Sequence, residues 1–104
     1  MNKYIMVTTT FDNLDEAHNI IDYLLNNRLV SCAQIINIDS RYHWKGKIEN
    51  TKEYLVQLKS KKGLYKEIEE EILKKHSYET PQILCYDISD GSTDYLNWIE
   101  DETK

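Results

Sequence analysis

Tyr42-His43-Trp44-Lys45-Gly46-Lys47-Ile48-Glu49 reads as a chain reversal at the centre of a long ribbon. Two large aromatics stand one residue apart just ahead of a glycine-centred turn, and the runs on both sides are strand-like. Counting back to about Cys32 and on to about Ser60 gives arms of roughly a dozen residues, about 40 Å each at strand rise. That is about twice the usual strand length. A chain of 104 residues offers no evident cover for the far end of such a hairpin. The tip formed by Tyr42 and Trp44, turning at Gly46, therefore calls for an outside cover, most simply a second copy of the chain.

Working outward, the residues on either side of this ribbon fall into a regular order. Residues 4–10 are rich in β-branched side chains and predict a first strand. Asn13 with Glu16 three residues later resembles a capping box. Leu14, Ala17, Ile21, Leu24 and Leu25 then recur at helical spacing on one face. In the second strand Ile36, Ile38, Ser40, Tyr42 and Trp44 share one side of the alternation. The third strand has a polar middle (residues 49–53) and ends in Tyr54, Val56, Leu58 alternating with Leu55, Gln57, Lys59. Leu64, Ile68, Ile72 and Leu73 mark a second helix, closed by Lys74, Lys75 and His76 at its negative end. Pro81 precedes a fourth strand over residues 83–88. Asp90-Gly91-Ser92 makes a turn and cap for a last helix carrying Tyr95, Leu96, Trp98 and Ile99.

The order βαββαβ plus a C-terminal helix predicts an α+β, ferredoxin-like antiparallel sheet in one domain spanning residues 1–104. Right-handed crossovers place the third strand between the first and second, giving sheet order 4-1-3-2. Cys32 and Cys85 then lie on opposite edges, about 14 Å apart at sheet spacing. That distance excludes a disulfide between them, and both are expected as buried free thiols.

Composition narrows the function classes. The chain is 40% hydrophobic and 30% charged with a net charge of -5, ordinary for a soluble domain and without a basic stripe. Nucleic acid is not an expected partner. No apolar run reaches the length of a membrane span, and the first residues lack the pattern of a signal peptide. No membrane partner and a cytoplasmic location are the expectations.

No nucleophile-base-acid set, phosphate loop or zinc-protease motif is present, so the chain is not expected to be an enzyme. A reaction through His76 and Glu79 would need a substrate pocket that the sequence does not show. The segment from His76 to Pro81 still combines an imidazole, the Tyr78 phenol and the Glu79 carboxylate. His76 is either a metal ligand or a cap on the last carbonyls of its helix. Lys59, at a strand end, is either an anion contact or a surface lysine with a buried stem. Trp98 with Tyr95 reads as packing residues, or as the lining of a cleft.

Four segments together resemble the CutA divalent-cation tolerance family. They are Ser31-Cys32-Ala33-Gln34-Ile35 followed by the Tyr42-to-Glu49 reversal, then His76-Ser77-Tyr78-Glu79-Thr80-Pro81-Gln82-Ile83, and Asp94-Tyr95-Leu96-Asn97-Trp98-Ile99. Lys59-Ser60 matches that family's Lys-Thr position. The likeness runs the length of the chain. It implies a homotrimer similar in plan to the PII signalling proteins, knitted by the long hairpins, with a role in tolerance of copper and other divalent cations. Some bacterial members are credited with copper binding through a cysteine ending strand one and two histidines closing helix two. Those positions are Thr8, Lys75 and His76 here, leaving His76 as the best single ligand candidate. Cys32, aligned with a second family cysteine, is a more distant one. No cofactor is obligatory, and weak binding of a divalent cation such as copper or zinc is the expectation. The alternative is a PII-like module whose clefts between subunits, lined by Lys59, His76, Tyr78, Glu79 and Trp98, hold an anionic or aromatic small ligand.

Overall fold

The computed structural model describes residues 3–104. Strand β1 (Tyr4–Phe11) leads to helix α1 (Leu14–Asn26), and the long strands β2 (Cys32–Trp44) and β3 (Lys47–Lys61) follow. After a short 3-10 turn come helix α2 (Tyr65–Lys75), strand β4 (Ile83–Asp87) and helix α3 (Thr93–Glu102). The sheet runs β2-β3-β1-β4 with every pairing antiparallel, which is the order expected from right-handed crossovers.

Local chemistry explains the element ends. Asn13 Oδ1 accepts the Glu16 N–H at 2.9 Å and caps α1. At the other end of α1, the Arg28 N–H reaches Leu25 O and the Leu29 N–H reaches Leu24 O, with Arg28 at φ 55. That is a Schellman stop with an arginine where glycine is usual. Ser92 Oγ caps α3 by accepting the Tyr95 N–H at 3.4 Å.

One face of the sheet carries the core. Ile5, Val7 and Phe11 of β1 and Val56 and Leu58 of β3 pack under Ala17, Ile20, Ile21 and Leu24 of α1 and Ile68 and Ile72 of α2. The helical stripes are narrower than expected. Leu14 and Leu25 lie on the flanks of the α1 stripe and stay exposed, as does Leu73 on α2. The cysteines also depart from expectation, since Cys85 is exposed and Cys32 only half-buried, both as free thiols. Each sits on an edge strand, with neighbouring backbone on one side only. On the opposite face, α3 covers one end, where Glu100 meets Tyr4, Lys3 and Lys61. Ile36, Leu84 and Tyr86 stay about half exposed on that face, at 45%, 47% and 47%.

The hairpin reaches past the sheet. Strand β1 stops at the Phe11–Tyr54 pair, while β2 and β3 continue for seven more pairs, from Ile38–Glu53 to Trp44–Lys47. That overhang is about 23 Å of two-stranded ribbon. It stretches the molecule to 45 Å and its radius of gyration to 14.3 Å. A compact domain of this length has about 13 Å. Lys45 and Gly46 close the ribbon at φ 50 and φ 80, a two-residue turn of type I′. No helix among the described residues is long and apolar enough to cross a membrane.

Candidate functional site

Where β1 ends, the chain leaving α2 crosses over it and meets the foot of the overhang. His76 governs this crossing. Its imidazole is completely buried and stacks on Phe11 with centroids 4.3 Å apart and planes 9° from parallel. Nε2 lies 2.8 Å from Thr10 O, and Nδ1 accepts the Tyr78 N–H at 3.2 Å. A carbonyl only accepts and a backbone N–H only donates, so the ring bonds as the Nε2–H tautomer. Ser77 adds a second tie through its N–H and hydroxyl to Glu16 Oε1.

Tyr78 is thereby held over the sheet, and its hydroxyl donates to Glu53 Oε2 at 2.6 Å. Burial, then the Glu53 carboxylate, push that phenol far above the ordinary tyrosine range. Glu53 is the first β3 residue beyond the end of β1 and is itself only 6% exposed. Its partner across the ladder is Ile38, so it shares a face with Ser40, Tyr42 and Trp44. Together with Glu79, these side chains line a cleft of about 750 Å³ between the ribbon and the segment after α2. Glu79 is 4.0 Å from Lys45 at the tip, and Asp39 is held by Lys52 at 2.8 Å.

The expected site residues thus divide into two groups. Tyr42, Trp44, Tyr78 and Glu79 meet in the cleft, and Gly46 turns the ribbon above them. Lys59 lies six residues along β3 from Glu53, about 20 Å away at strand rise. There Lys59 donates to Gln34 Oε1 at 2.9 Å and pairs across the ladder with Cys32. The Cys32 sulfur is 3.6 Å from the Tyr95 hydroxyl, and Tyr95 leans on Trp98 with centroids 5.5 Å apart. The contact with Cys32, then burial, push the Tyr95 phenol up to about 12. Within one chain, then, Lys59 and Trp98 do not share a cleft with Tyr78.

A soft-metal centre does not fit the residues of a single chain. Both nitrogens of His76 are engaged, so ligation would require the ring to release Thr10 or Tyr78. Lys75 is tied to Glu71 at 2.7 Å, and Thr8 supplies only a hydroxyl. Among the described residues no three His, Cys, Asp or Glu side chains converge as a metal would need.

Glu53 escaped the sequence reading because it falls in the polar middle of β3. Its signal was parity, since pairing with Ile38 places it on the side of Tyr42 and Trp44.

Comparison with known proteins identifies the family of this fold. The family model for the CutA1 divalent ion tolerance protein matches residues 5–102. The chain is 39% identical over 100 residues to the divalent-cation tolerance protein CutA of Pyrococcus horikoshii, covering 96% of this chain and 98% of that one. It is 38% identical over 97 residues to the protein of the same name from Thermotoga maritima, covering 93% and 96%. Among solved structures, the periplasmic divalent cation tolerance protein CutA from Archaeoglobus fulgidus superposes with a TM-score of 0.94 at 32% identity, covering 97% and 99%. This chain belongs to the CutA1 divalent ion tolerance family. By name and fold that family is one of tolerance proteins and not of a known enzyme class.

Proposed function

We infer that the chain acts as a non-enzymatic homotrimer in the response to divalent metal ions, copper among them. The observation that carries the assembly is the seven-pair overhang, whose tip leaves Tyr42 and Trp44 exposed and Ile48 68% exposed. An isolated two-stranded ribbon of this kind is marginal in water. The half-exposed apolar row of Ile36, Leu84 and Tyr86 offers a second surface for sister subunits. Family membership supports the metal-tolerance role. Direct metal contact is weak in this reading, because His76 gives up a buried hydrogen bond whenever it binds. A cytoplasmic location suits the two unbridged thiols.

Sedimentation equilibrium tests the assembly. A trimer is expected, and replacing Tyr42 and Trp44 together by alanine shifts it toward smaller species; a wild-type monomer at micromolar concentration defeats the reading. Calorimetric titration with Cu(II) and Zn(II) against wild type and His76→Ala tests the metal contact. Equal heats remove His76 from it.

The PII-like alternative draws on the separation of the two residue groups. Lys59 and Trp98 of one subunit can join Tyr78 only if a neighbour brings them together. Native mass spectrometry of the purified assembly, looking for a retained small molecule, separates it from the first reading.

A further inference from the structure

We propose that the counter-charge of Glu53 is Lys59 of a second copy of this chain, the ammonium of one subunit seating on the carboxylate at the foot of its neighbour's hairpin. The inference deepens the homotrimer reading and rests on it. Glu53 is 6% exposed, and its one hydrogen-bond donor is the neutral Tyr78 hydroxyl on Oε2. No lysine, arginine or histidine among the described residues of the same chain lies within ion-pair distance of it. Leaving an ionised carboxylate buried without a cation is costly, and such groups are normally paired. The overhang and the apolar face beside it call for sister subunits at this place, so the missing charge is expected from them.

Lys59 is the complement. It is half-buried, lies within ion-pair distance of no carboxylate among the described residues, and gives one donor to Gln34 Oε1 at 2.9 Å. Two ammonium N–H donors remain, and Glu53 Oε1 has its lone pairs open to receive one. Pleat alternation puts Glu53 and Lys59 on one face of β3, about 20 Å apart. Between their rows lie Leu55 beside Ile36, and Gln57 in line with Thr8 and Leu84. Opposite charges therefore stand at the two ends of one contact surface. A closed ring of three is heterologous, each subunit offering different patches to its two neighbours, so one end can meet the other. Charge complementarity of this kind fixes the register of a contact. Other cations fit less well. Lys61, on the same face, is tied to Glu100 at 3.4 Å. Arg41 turns to the opposite face. Lys47 shares the face but sits exposed at the ribbon tip, opposite Trp44 and away from the apolar rows.

Sedimentation equilibrium of the full chain in graded urea reads the association of wild type, Glu53→Lys, Lys59→Glu and the double reversal. Each single reversal should weaken association roughly tenfold or more per interface, and the double reversal should recover most of that loss. Within a chain the two positions are too far apart to rescue one another, so recovery reports a contact between subunits. Losses that simply add, or no loss at all, overturn the proposal. So does rescue of Glu53→Lys by Lys47→Glu and not by Lys59→Glu. Should a reversal fail to fold, Glu53→Gln and Lys59→Met decide. Lys59→Met should then weaken association less in the Glu53→Gln background than in wild type, and equal losses overturn the pair. A wild-type monomer sinks the homotrimer reading and the pair with it, whereas a wild-type trimer with additive losses sinks the pair alone.

Discussion

The Tyr78 hydroxyl and Glu53 Oε2, 2.6 Å apart, join the segment after α2 to the base of the hairpin. They are 25 positions apart in sequence, and the bond fixes where the ribbon leaves the sheet. Tyr78→Phe removes the donor and leaves a buried carboxylate oxygen without a partner. The expected loss is about 1–3 kcal/mol, read from urea unfolding at fixed protein concentration with an unchanged m value.

His76 is expected to matter for stability whatever its part in metal binding. His76→Leu keeps an apolar side chain near Phe11 but orphans Thr10 O and the Tyr78 N–H. A loss of about 2–4 kcal/mol follows from two unmade buried bonds. A midpoint within experimental error of wild type would show that the imidazole is not a structural tie.

The phenols give a pH signature. Tyr65, raised by burial and by Glu69, and Tyr95, raised by Cys32 and by burial, both reach about 12. Tyr78 is pushed higher still, by burial and by Glu53. A raised folded-state pKa means that the fold favours the neutral phenol. That contribution is whole below the ordinary tyrosine value of about 10 and is lost as pH rises through the folded value. Absorbance at 295 nm should show these late ionisations arriving with alkaline unfolding, and Tyr95→Phe should delete one of them.

The reversal at Lys45-Gly46 is a separable test of backbone strain. A Cβ at Gly46 would meet nothing within 4 Å, so Gly46→Ala costs only its φ of +80, about 1 kcal/mol. Lys45 at φ 50 carries a similar penalty already. Lys45→Asn, giving the Asn-Gly pair that this turn prefers, should recover about 0.5–1 kcal/mol in thermal or urea unfolding.

Much of this architecture was legible because its determinants are local. The alternation of residues 36–44, the glycine of the turn and the Asn13 and Ser92 caps each act within a few positions. Handed crossovers then leave one sheet order. What stayed hidden depends on tertiary reach. Cys85 looks like a core residue in the run from Ile83 to Ile88, but an edge strand leaves it exposed. Leu73 continues a helical stripe in sequence yet stays 54% exposed in the fold. The grouping of Lys59 with Tyr78 followed from resemblance, whereas strand length sets them apart within a chain. Glu53 needed the register with Ile38 before its position beside the aromatic rings could be read.

A ribbon with backbone unpaired along both margins is also a template for runaway strand addition. The seven outer pairs counter this with Asp39, Arg41, Lys47, Glu49 and Lys52, charges interspersed along both strands. Such gatekeepers repel an arbitrary strand and admit one whose charges complement theirs. The outer ribbon is in this sense a password as well as a handle, and in the proposed homotrimer scrambling its charges would exchange orderly self-association for fibre-like growth.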